Sequence, residues 1–407
     1  MSKYDRYFLM KVHDIAQYVT EKIDFFPKEA IFECTEIGDG NLNYVFRLVN
    51  ISTGKSIIIK QAGESLRIDE NMKLSTDRGR IEAKILGIQG KLAPGLVPEV
   101  YLYDEIMCAM LMEDMTDHTL MRTGLIDHQT YPFFSDHITT FLVNSLVLTS
   151  DIVMDHKAKK KLVKDFINPD LCEISEDLVF TEPFNDRKKR NNIFPLNKEF
   201  VEKELYEDTS LKLAVAHLKF QFLSSAQALI HGDLHTGSIF INQDHTFIFD
   251  PEFAFYGPMG YDIGNVIANL FFAWCHGDAM IEDSTEKLIF CDWILDTIEE
   301  TIDLFIQKFR YVFISNVSDP MAKTEGYLDC YLRSILADTA GFAGLESIRR
   351  VVGMANVKDI TSITAPVKRE RAERIIITLA KEYILKAATF TDGKSYRNAI
   401  ENTIKKY

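Results

Sequence analysis

The sequence predicts an α+β fold with two lobes, a β-rich N-terminal lobe at residues 1–114 and a mainly helical C-terminal lobe at residues 115–407. A length of 407 residues is sufficient for two lobes and a substantial core. Strand-like apolar segments are concentrated in the first lobe, whereas apolar residues at helical spacing dominate the second. A hydrophobic content of 46% with 26% charged residues is ordinary for a globular protein.

The N-terminal lobe is predicted to begin with a helix and to continue as a sheet. Apolar residues recur at helical spacing in residues 11–23, which indicates an amphipathic helix. The last predicted strand leads into Glu113, Asp114 and Met115, where the β-rich lobe gives way to the helical one. Strands are predicted at residues 31–37, 45–49, 56–61, 97–103 and 106–112.

The C-terminal lobe is predicted to be built from long helices, without internal repeats or a low-complexity tail. Basic runs at residues 157–164 and 187–190 are interpreted as solvated helix or loop, because nothing else supports a localisation or nucleic-acid role. Helices are predicted near residues 134–150, 199–226, 261–274, 282–312, 326–340 and 368–389.

Charge and cysteine usage limit the class of protein. The net charge of −14 argues against nucleic acid or an anionic membrane as the main partner. The six cysteines are scattered without metal-ligand spacing, so we expect reduced thiols in a cytoplasmic protein. The first residues lack an apolar core of signal-peptide length, and no segment approaches the roughly 18 apolar residues of a membrane span.

Residues 230–264 carry the clearest chemical pattern of the chain. A loop with Asp233 is followed by two short apolar segments, which predict a two-stranded hairpin, and then by Asp250 and Glu252. Because a hairpin brings its ends together, we expect the three acids to face one cleft. If the backbone is extended after Asp250, it and Glu252 point the same way. One carboxylate can then accept a proton from a hydroxyl while the others hold Mg²⁺ on a nucleotide, as phosphoryl transfer requires.

This stretch resembles the catalytic and metal-binding loops of protein kinases and, more closely, of aminoglycoside-phosphotransferase-like small-molecule kinases. It departs from their pattern at two points. Ser238 stands where those kinases have Asn, and Asp250 is followed by Pro251 and Glu252 instead of Phe-Gly. The segments HGDLHTGS and DPEFAFYGPMGYDIG are similar to those of the 5-methylthioribose kinase family, whose metal motif is Asp-x-Glu.

The resemblance implies a bilobal protein-kinase-like fold and an ATP-dependent kinase. The implied reaction phosphorylates the anomeric hydroxyl of 5-methylthioribose to give 5-methylthioribose 1-phosphate and ADP in methionine salvage. Asp233 would orient and deprotonate that hydroxyl and so be both catalytic and substrate-binding. Asp250 and Glu252 would hold the Mg²⁺, with Glu252 compensating for the Asn that Ser238 replaces. The family is typically homodimeric.

A nucleotide site is predicted around a glycine turn and a strand lysine. Lys60 ends an isoleucine-rich strand and resembles the kinase lysine that contacts the α- and β-phosphates. Glu82 in the next predicted helix either pairs with Lys60 or is a solvated carboxylate. The residues predicted to bind ATP are Gly40, Asn43, Lys60, Glu113, Asp114, Met115, Asp250, Pro251 and Glu252.

Arg349 and Arg350 are the predicted substrate-binding residues beside Asp233. Paired arginines on a helix are usually exposed, but the family has a similar pair that reaches the sugar and the transferred phosphate. The pattern does not decide which arginine contacts substrate. His231 and His235 could suggest a zinc site, yet their spacing on a loop and the lack of a third ligand favour structural roles.

Two other functions fit part of the pattern. One is another kinase of this superfamily that acts on an aminoglycoside, choline or homoserine; the arginine pair argues instead for an uncharged sugar and a phosphate. The second is a catalytically silent nucleotide-binding regulator. A pure binding protein needs no proton acceptor, so the joint presence of Asp233, Asp250, Glu252 and Lys60 argues against it.

Overall fold

The computed structural model describes residues 2–37, 43–64 and 74–407, and within them the N-terminal part is built on one antiparallel sheet. Helix α1 (Val12–Lys22) packs on one face of this sheet, and α2 (Asp77–Leu92) connects its third and fourth strands. The five strands have the spatial order β1-β2-β3-β5-β4. They are β1 (Phe32–Ile37), β2 (Asn43–Asn50), β3 (Ser56–Ala62), β4 (Val100–Asp104) and β5 (Ala109–Met112).

Strand β3 lies between β2 and β5 and positions Lys60. Its side chains alternate, so Ile57 and Ile59 pack with α1 on one face, whereas Ile58 and Lys60 point to the other. Ile58 belongs to the core that continues into the helical part of the chain. Lys60 is paired in register with Val45 of β2. The lysine therefore lies in the middle of the sheet, on the face directed towards the helical part.

Short strands in the second part confirm the predicted hairpin. Strands β6 (Thr119–Leu120), β7 (Ala228–Ile230), β8 (Ile239–Ile241), β9 (Thr246–Ile248) and β10 (Phe255–Gly257) form two small sheets of order β6-β8-β9 and β10-β7. The β8–β9 hairpin closes with the amide of Phe249 donating to the carbonyl oxygen of Ser238 at 3.1 Å. The loop before the hairpin, which carries Asp233, is thereby folded onto the segment after it, which carries Asp250.

Helices make up most of the remaining chain and confirm the predicted helical character. The long helix α9 is buried on nearly all sides, and α11 packs along it. The helices are α3 (Met121–Ile126), α4 (Phe134–Leu148), α5 (His156–Asp165), α6 (Pro169–Leu178), α7 (Lys198–Val201), α8 (Thr209–Ser224), α9 (Met259–Met280), α10 (Ser284–Asn316), α11 (Tyr327–Val352), α12 (Lys358–Thr361), α13 (Pro366–Leu385) and α14 (Gly393–Ile404).

Three expectations about the helices are wrong in detail. The helix predicted at residues 199–226 is interrupted after a π-helical turn, because the Asp208 carboxylate caps α8 by accepting from the Leu211 amide at 2.9 Å. The helix predicted to end at residue 340 continues to Val352, so the arginine pair lies in its last turn. Lys159, in a basic run predicted to be solvated, is buried, and its ammonium pairs with Asp151 and donates to the carbonyl oxygens of Ala226 and Gln227.

The six cysteines are all free thiols. Across the ranges that the structure describes, none of the helices combines the length and the apolar content that a membrane span requires.

Close approach of α9 and α11 depends on small residues at their contact. A Cβ built on Gly264 would lie 2.6 Å from the amide nitrogen of Ala343 and 2.7 Å from the carbonyl oxygen of Thr339. Both obstacles are backbone atoms inside helix α11, which cannot move independently of the helix. Because α9 also carries residues of the site described below, this contact fixes the position of that site.

We expect Gly264→Ala to destabilise the protein by about 1–3 kcal/mol, because the added methyl group overpacks the contact between α9 and α11. The matched control is Gly87→Ala in α2, where a Cβ would meet nothing within 4 Å. That change should stabilise the helix by about 0.5–1 kcal/mol. Denaturant unfolding of both variants measures the difference; a Gly264→Ala protein as stable as the wild type would contradict this description of the core.

Candidate active site

The loop after β7 is held in place by a buried acid at the start of α9. The Asp262 carboxylate accepts the amide of His231 at 2.6 Å and the amide of Gly232 at 3.0 Å. Gly232 has a φ of +86°, and a Cβ there would lie 2.3 Å from the carbonyl oxygen of Phe253. Only glycine fits this tight turn without strain. Sequence reasoning did not assign Asp262 a role, although it lies within the quoted DPEFAFYGPMGYDIG segment.

His231 has the structural role that the sequence predicted. Its ring nitrogen Nε2 donates to the carbonyl oxygen of Phe249 at 2.9 Å, which ties the loop to the residue before Asp250. His235 and Ser238 are also directed into the loop. The Ser238 hydroxyl donates to the carbonyl oxygen of Asp233 and lies 3.0 Å from His235 Nδ1. Ser238 is thus engaged in supporting the loop.

The Asp233 carboxylate contacts both arginines that the sequence singled out. Arg349 Nη2 donates to Asp233 Oδ1 at 2.7 Å, and Arg350 Nη2 approaches the same oxygen at 3.4 Å. His235 Nε2 lies 3.4 Å from the other oxygen, Oδ2. Burial alone would raise the pKa of Asp233, but His235 and Arg349 outweigh it and hold that pKa well below its usual range. The carboxylate is therefore ionised and able to accept a hydrogen bond.

Glu346 holds the arginine pair from behind. It is 1% exposed and accepts from Arg350 Nε at 2.9 Å and from Arg349 Nε at its other oxygen. The amide of Asn269 on α9 donates to Glu346 at 3.2 Å. Sequence reasoning missed Glu346, although its spacing of three and four residues from the arginines on one helix was a usable signal.

On the sheet side, Lys60 pairs with two carboxylates. Its Nζ lies 2.7 Å from Glu82 Oε1, which confirms the predicted pairing, and it also contacts Asp250. Burial alone would lower the pKa of Lys60, but the two carboxylates raise it, so the ammonium stays charged. Burial raises the pKa of Glu82 to about 7, although Lys60 opposes this shift.

A cluster of three acids forms where Lys60 meets the hairpin. One carboxylate oxygen from each of Glu82, Asp250 and Glu252 lies within 4.8 Å of the others. Asp250 has a φ of +67°, so the condition of extended backbone is not met at this residue, although its carboxylate and that of Glu252 lie together. Burial would raise the pKa of Asp250, but Lys60 outweighs it and lowers that pKa. Burial and the charge of Asp250 raise the pKa of Glu252 to about 8.

The cluster contains both acids that the sequence assigned to the ion and adds one that it did not. Asp250 and Glu252 were expected to hold the ion, with Asp233 left as the proton acceptor, and in the described part of the chain Glu82 is the third member. The Asp233 carboxylate is instead held by the arginines, because they provide the nearest cationic groups. The two sets of acids are thus separated by their counter-ions.

The donor set of the cluster fits a magnesium ion. Hard carboxylate oxygens are the protein ligands that Mg²⁺ takes together with phosphate oxygens and water. Three carboxylates at short range, two of them buried and that of Asp250 partly exposed, repel one another, as the raised pKa values of Glu82 and Glu252 indicate. A divalent cation would relieve that repulsion. Asp250 and Glu252 are the residues that would hold it.

The remaining predicted nucleotide residues lie around the same cleft. Asn43 Nδ2 donates to Glu252 Oε2 at 3.0 Å. Arg78 of α2 approaches the same oxygen, with its Nε at 3.7 Å. Pro251 is buried, and its carbonyl oxygen accepts the Ala254 amide at 3.1 Å. Gly40 lies outside the described residues.

Glu113, Asp114 and Met115 connect the two parts of the chain, and their side chains all make contacts within the protein. The Glu113 carboxylate accepts the amide of Glu99 at 3.0 Å. The Asp114 carboxylate pairs with Arg47 Nε at 2.6 Å. Met115 is buried in the main core. Any contact of Asp114 or Met115 with a nucleotide would therefore come from the backbone.

Comparison with solved structures shows the fold. A choline kinase from Cryptosporidium parvum superposes with a TM-score of 0.51 at 14% identity, covering 89% of this chain and 96% of that one. This chain thus shares its two-part α+β architecture with that choline kinase, which confirms the predicted fold class.

Comparison with known sequences shows the family. Residues 165–283 match the model described as "Phosphotransferase enzyme family". Over 389 residues, covering 95% of each chain, the protein is 41% identical to a methylthioribose kinase of Bacillus cereus strain 03BB102 and equally to one of Bacillus anthracis. The resemblance inferred from the loop residues is confirmed, and the chain belongs to the methylthioribose kinase family.

Proposed function

We propose that this protein transfers the γ-phosphoryl group of ATP to the anomeric hydroxyl of 5-methylthioribose, giving 5-methylthioribose 1-phosphate and ADP in methionine salvage. The observation that carries the proposal is the ionised carboxylate of Asp233, which lies against Arg349 and Arg350. A partly buried carboxylate next to two guanidinium groups combines a proton acceptor with positive charge for a phosphoryl group in transfer.

The acceptor side of the reaction is assigned to Asp233 and the arginine pair. Asp233 accepts a hydrogen bond from the anomeric hydroxyl and orients its oxygen towards the γ-phosphorus. As the new oxygen–phosphorus bond forms, the bond from the γ-phosphorus to its bridging oxygen breaks, and the hydroxyl proton passes to Asp233. Without substrate, Arg349 and Arg350 are shared between Asp233 and Glu346. In the reaction they hold the phosphoryl oxygens.

The nucleotide side is assigned to the sheet and the acidic cluster. Lys60, oriented by Glu82, contacts the α- and β-phosphates of the ATP co-substrate, and Asn43 and Pro251 border them. The segment Glu113, Asp114 and Met115 offers its backbone to the adenine. Asp250 and Glu252 would hold a Mg²⁺ ion, which would supply positive charge to the phosphates of ATP.

The organisation around this reaction is also part of the proposal. Residues 1–114 form the nucleotide-binding lobe, and residues 115–407 carry the catalytic and substrate-binding loops. We propose a cytoplasmic homodimer on the basis of the family, with neither nucleic acid nor membrane as a partner, for which the net charge of −14 is the support.

The alternatives fit the site less well. A cationic acceptor such as choline or an aminoglycoside would have to displace Arg349 and Arg350 from the carboxylate of Asp233. A catalytically silent nucleotide-binding regulator would not need that carboxylate.

A direct test is to incubate the protein with Mg-ATP and, separately, 5-methylthioribose, choline, homoserine and an aminoglycoside, and to measure ADP release. Release that depends on 5-methylthioribose is expected, and release with another acceptor alone would refute the proposal.

Asp233→Asn should lower kcat by about 10²–10⁴-fold, because the amide cannot take the hydroxyl proton. Affinity for ATP should change little, because Asp233 lies on the acceptor side. Steady-state ADP release and calorimetric titration with ATP measure the two quantities. Asp329→Asn, at an exposed ion pair with Arg310, is the control and should keep wild-type turnover. Near-normal kcat in Asp233→Asn would remove the proposed role.

Glu252→Gln should raise the Mg²⁺ concentration for half-maximal activity by about 10-fold or more, because it removes one of two anionic ligands. The control is Glu105→Gln, in an exposed turn of the sheet. Titration of activity with Mg²⁺ at saturating ATP provides the measurement, and binding of Mn²⁺ to the protein–ATP complex provides a second readout. An unchanged Mg²⁺ titration would refute the assignment of Glu252.

A further inference from the structure

A third guanidinium group lies on the acceptor side of the catalytic loop. A Cβ built on Gly237 would lie 2.9 Å from Arg122 Nη1 and 3.1 Å from His235 Cε1, so Arg122 of α3 and His235 meet at this glycine. His235 is in turn 3.4 Å from the Asp233 carboxylate. Arg122 therefore lies one side chain away from the proposed proton acceptor, and neither the sequence pattern nor the mechanism above uses it.

The counter-ion of Arg122 is a buried acid with unused hydrogen-bonding capacity. Asp359 of α12 is 1% exposed, and its Oδ2 lies 3.4 Å from Arg122 Nε. Within the described ranges, neither oxygen of Asp359 has a hydrogen-bond partner, and neither does Arg122 Nε. A purely structural arginine–carboxylate pair would be expected to close with two parallel hydrogen bonds. Buried polar groups left unpaired are costly unless a ligand or water completes them.

One side of Arg122 is open. Its side chain is 20% exposed, whereas Asp359 beneath it has almost no exposed surface. A ligand that approaches from the cleft would therefore meet the guanidinium first, and the Asp359 carboxylate lies behind the guanidinium as its counter-ion. This arrangement is typical of an arginine held ready for a ligand by a buried acid.

The same network connects Arg122 to the catalytic arginines. Arg122 Nη2 donates to Asn269 Oδ1 at 3.2 Å, and the amide of Asn269 donates to Glu346. Glu346 holds Arg350, which reaches Asp233. Asn269 therefore orients Arg122 and the arginine pair together, so Arg122 belongs to the wall that faces Asp233.

We propose that Arg122 is a specificity-determining residue for the acceptor, donating a hydrogen bond to a secondary hydroxyl of the sugar whose anomeric hydroxyl meets Asp233. Asp359 and Asn269 are positioning residues that fix the guanidinium. A guanidinium has only donors, so it selects hydroxyl oxygens and disfavours a cationic amine. This inference rests on the proposed function. It identifies the acceptor as a neutral polyol, which the site recognises by a secondary hydroxyl.

The test compares Arg122→Gln and Arg122→Lys with wild type on 5-methylthioribose and on its 2-deoxy and 3-deoxy analogues. The KM for 5-methylthioribose should rise about 10-fold or more in Arg122→Gln, the loss expected for a hydrogen bond to a charged group, whereas the KM for ATP should stay within about twofold. The KM of wild type should be higher by a similar factor for one of the deoxy analogues. The Arg122→Gln variant should have the same KM for that analogue as for the parent sugar. Arg122→Lys should recover part of the loss.

Arg310→Gln, at an exposed ion pair, is the control and should leave both KM values unchanged. Three results would overturn the inference. They are an equal rise in KM for the parent sugar and both analogues, a change in the KM for ATP alone, and a lower melting temperature with unchanged KM values. Calorimetric binding of the sugar, with a non-hydrolysable ATP analogue present, separates the two proposals. A wild type that binds 5-methylthioribose without releasing ADP would refute the proposed function alone. An active wild type whose Arg122→Gln variant binds the sugar equally tightly would refute this inference alone.

Discussion

The partly buried negative charge of Asp233 is the constraint on which the rest of the site depends. A carboxylate removed from water becomes protonated unless cations lie against it, and a protonated Asp233 could not accept the proton of a hydroxyl. Arg349 and Arg350 supply that charge. They can do so only because α11 continues to Val352 and because Glu346, supported by Asn269 of α9, fixes both guanidinium groups. The close contact of α9 and α11 is therefore a requirement of the chemistry as well as of the core.

The site separates two groups of acids by giving each its own cations. Glu82, Asp250 and Glu252 are gathered around Lys60 on the sheet side, whereas Asp233 is held by arginines on the helical side. If the groups were merged, every carboxylate would compete for the same ion, and none would remain to accept a proton. The hairpin β8–β9 brings the two sets near each other, and the left-handed backbone at Asp250 directs its carboxylate towards Lys60.

Sequence could predict the features of the fold and the site that are set by local pattern. Alternating and helical spacing predicted the sheet, the hairpin and most helices, and the pairing of Lys60 with Glu82 followed from their positions on a strand and the next helix. The missed features depend on contacts between distant segments. Asp262 looked like an ordinary helix residue and Arg122 was not singled out at all, since their partners lie about 30 to 240 positions away along the chain. The break at Asp208 was missed because apolar spacing continued through it, although its capping role is local.

The separation of the proton acceptor from the metal ligands can be measured directly in a crystal structure with a non-hydrolysable ATP analogue, Mg²⁺ and 5-methylthioribose. That separation predicts an Asp233 carboxylate oxygen about 2.6–3.2 Å from the anomeric hydroxyl. It also predicts Asp250 and Glu252 oxygens about 2.0–2.1 Å from the metal ion. A complex in which Asp233 binds the metal itself, or in which the sugar hydroxyl lies against another residue, would contradict it.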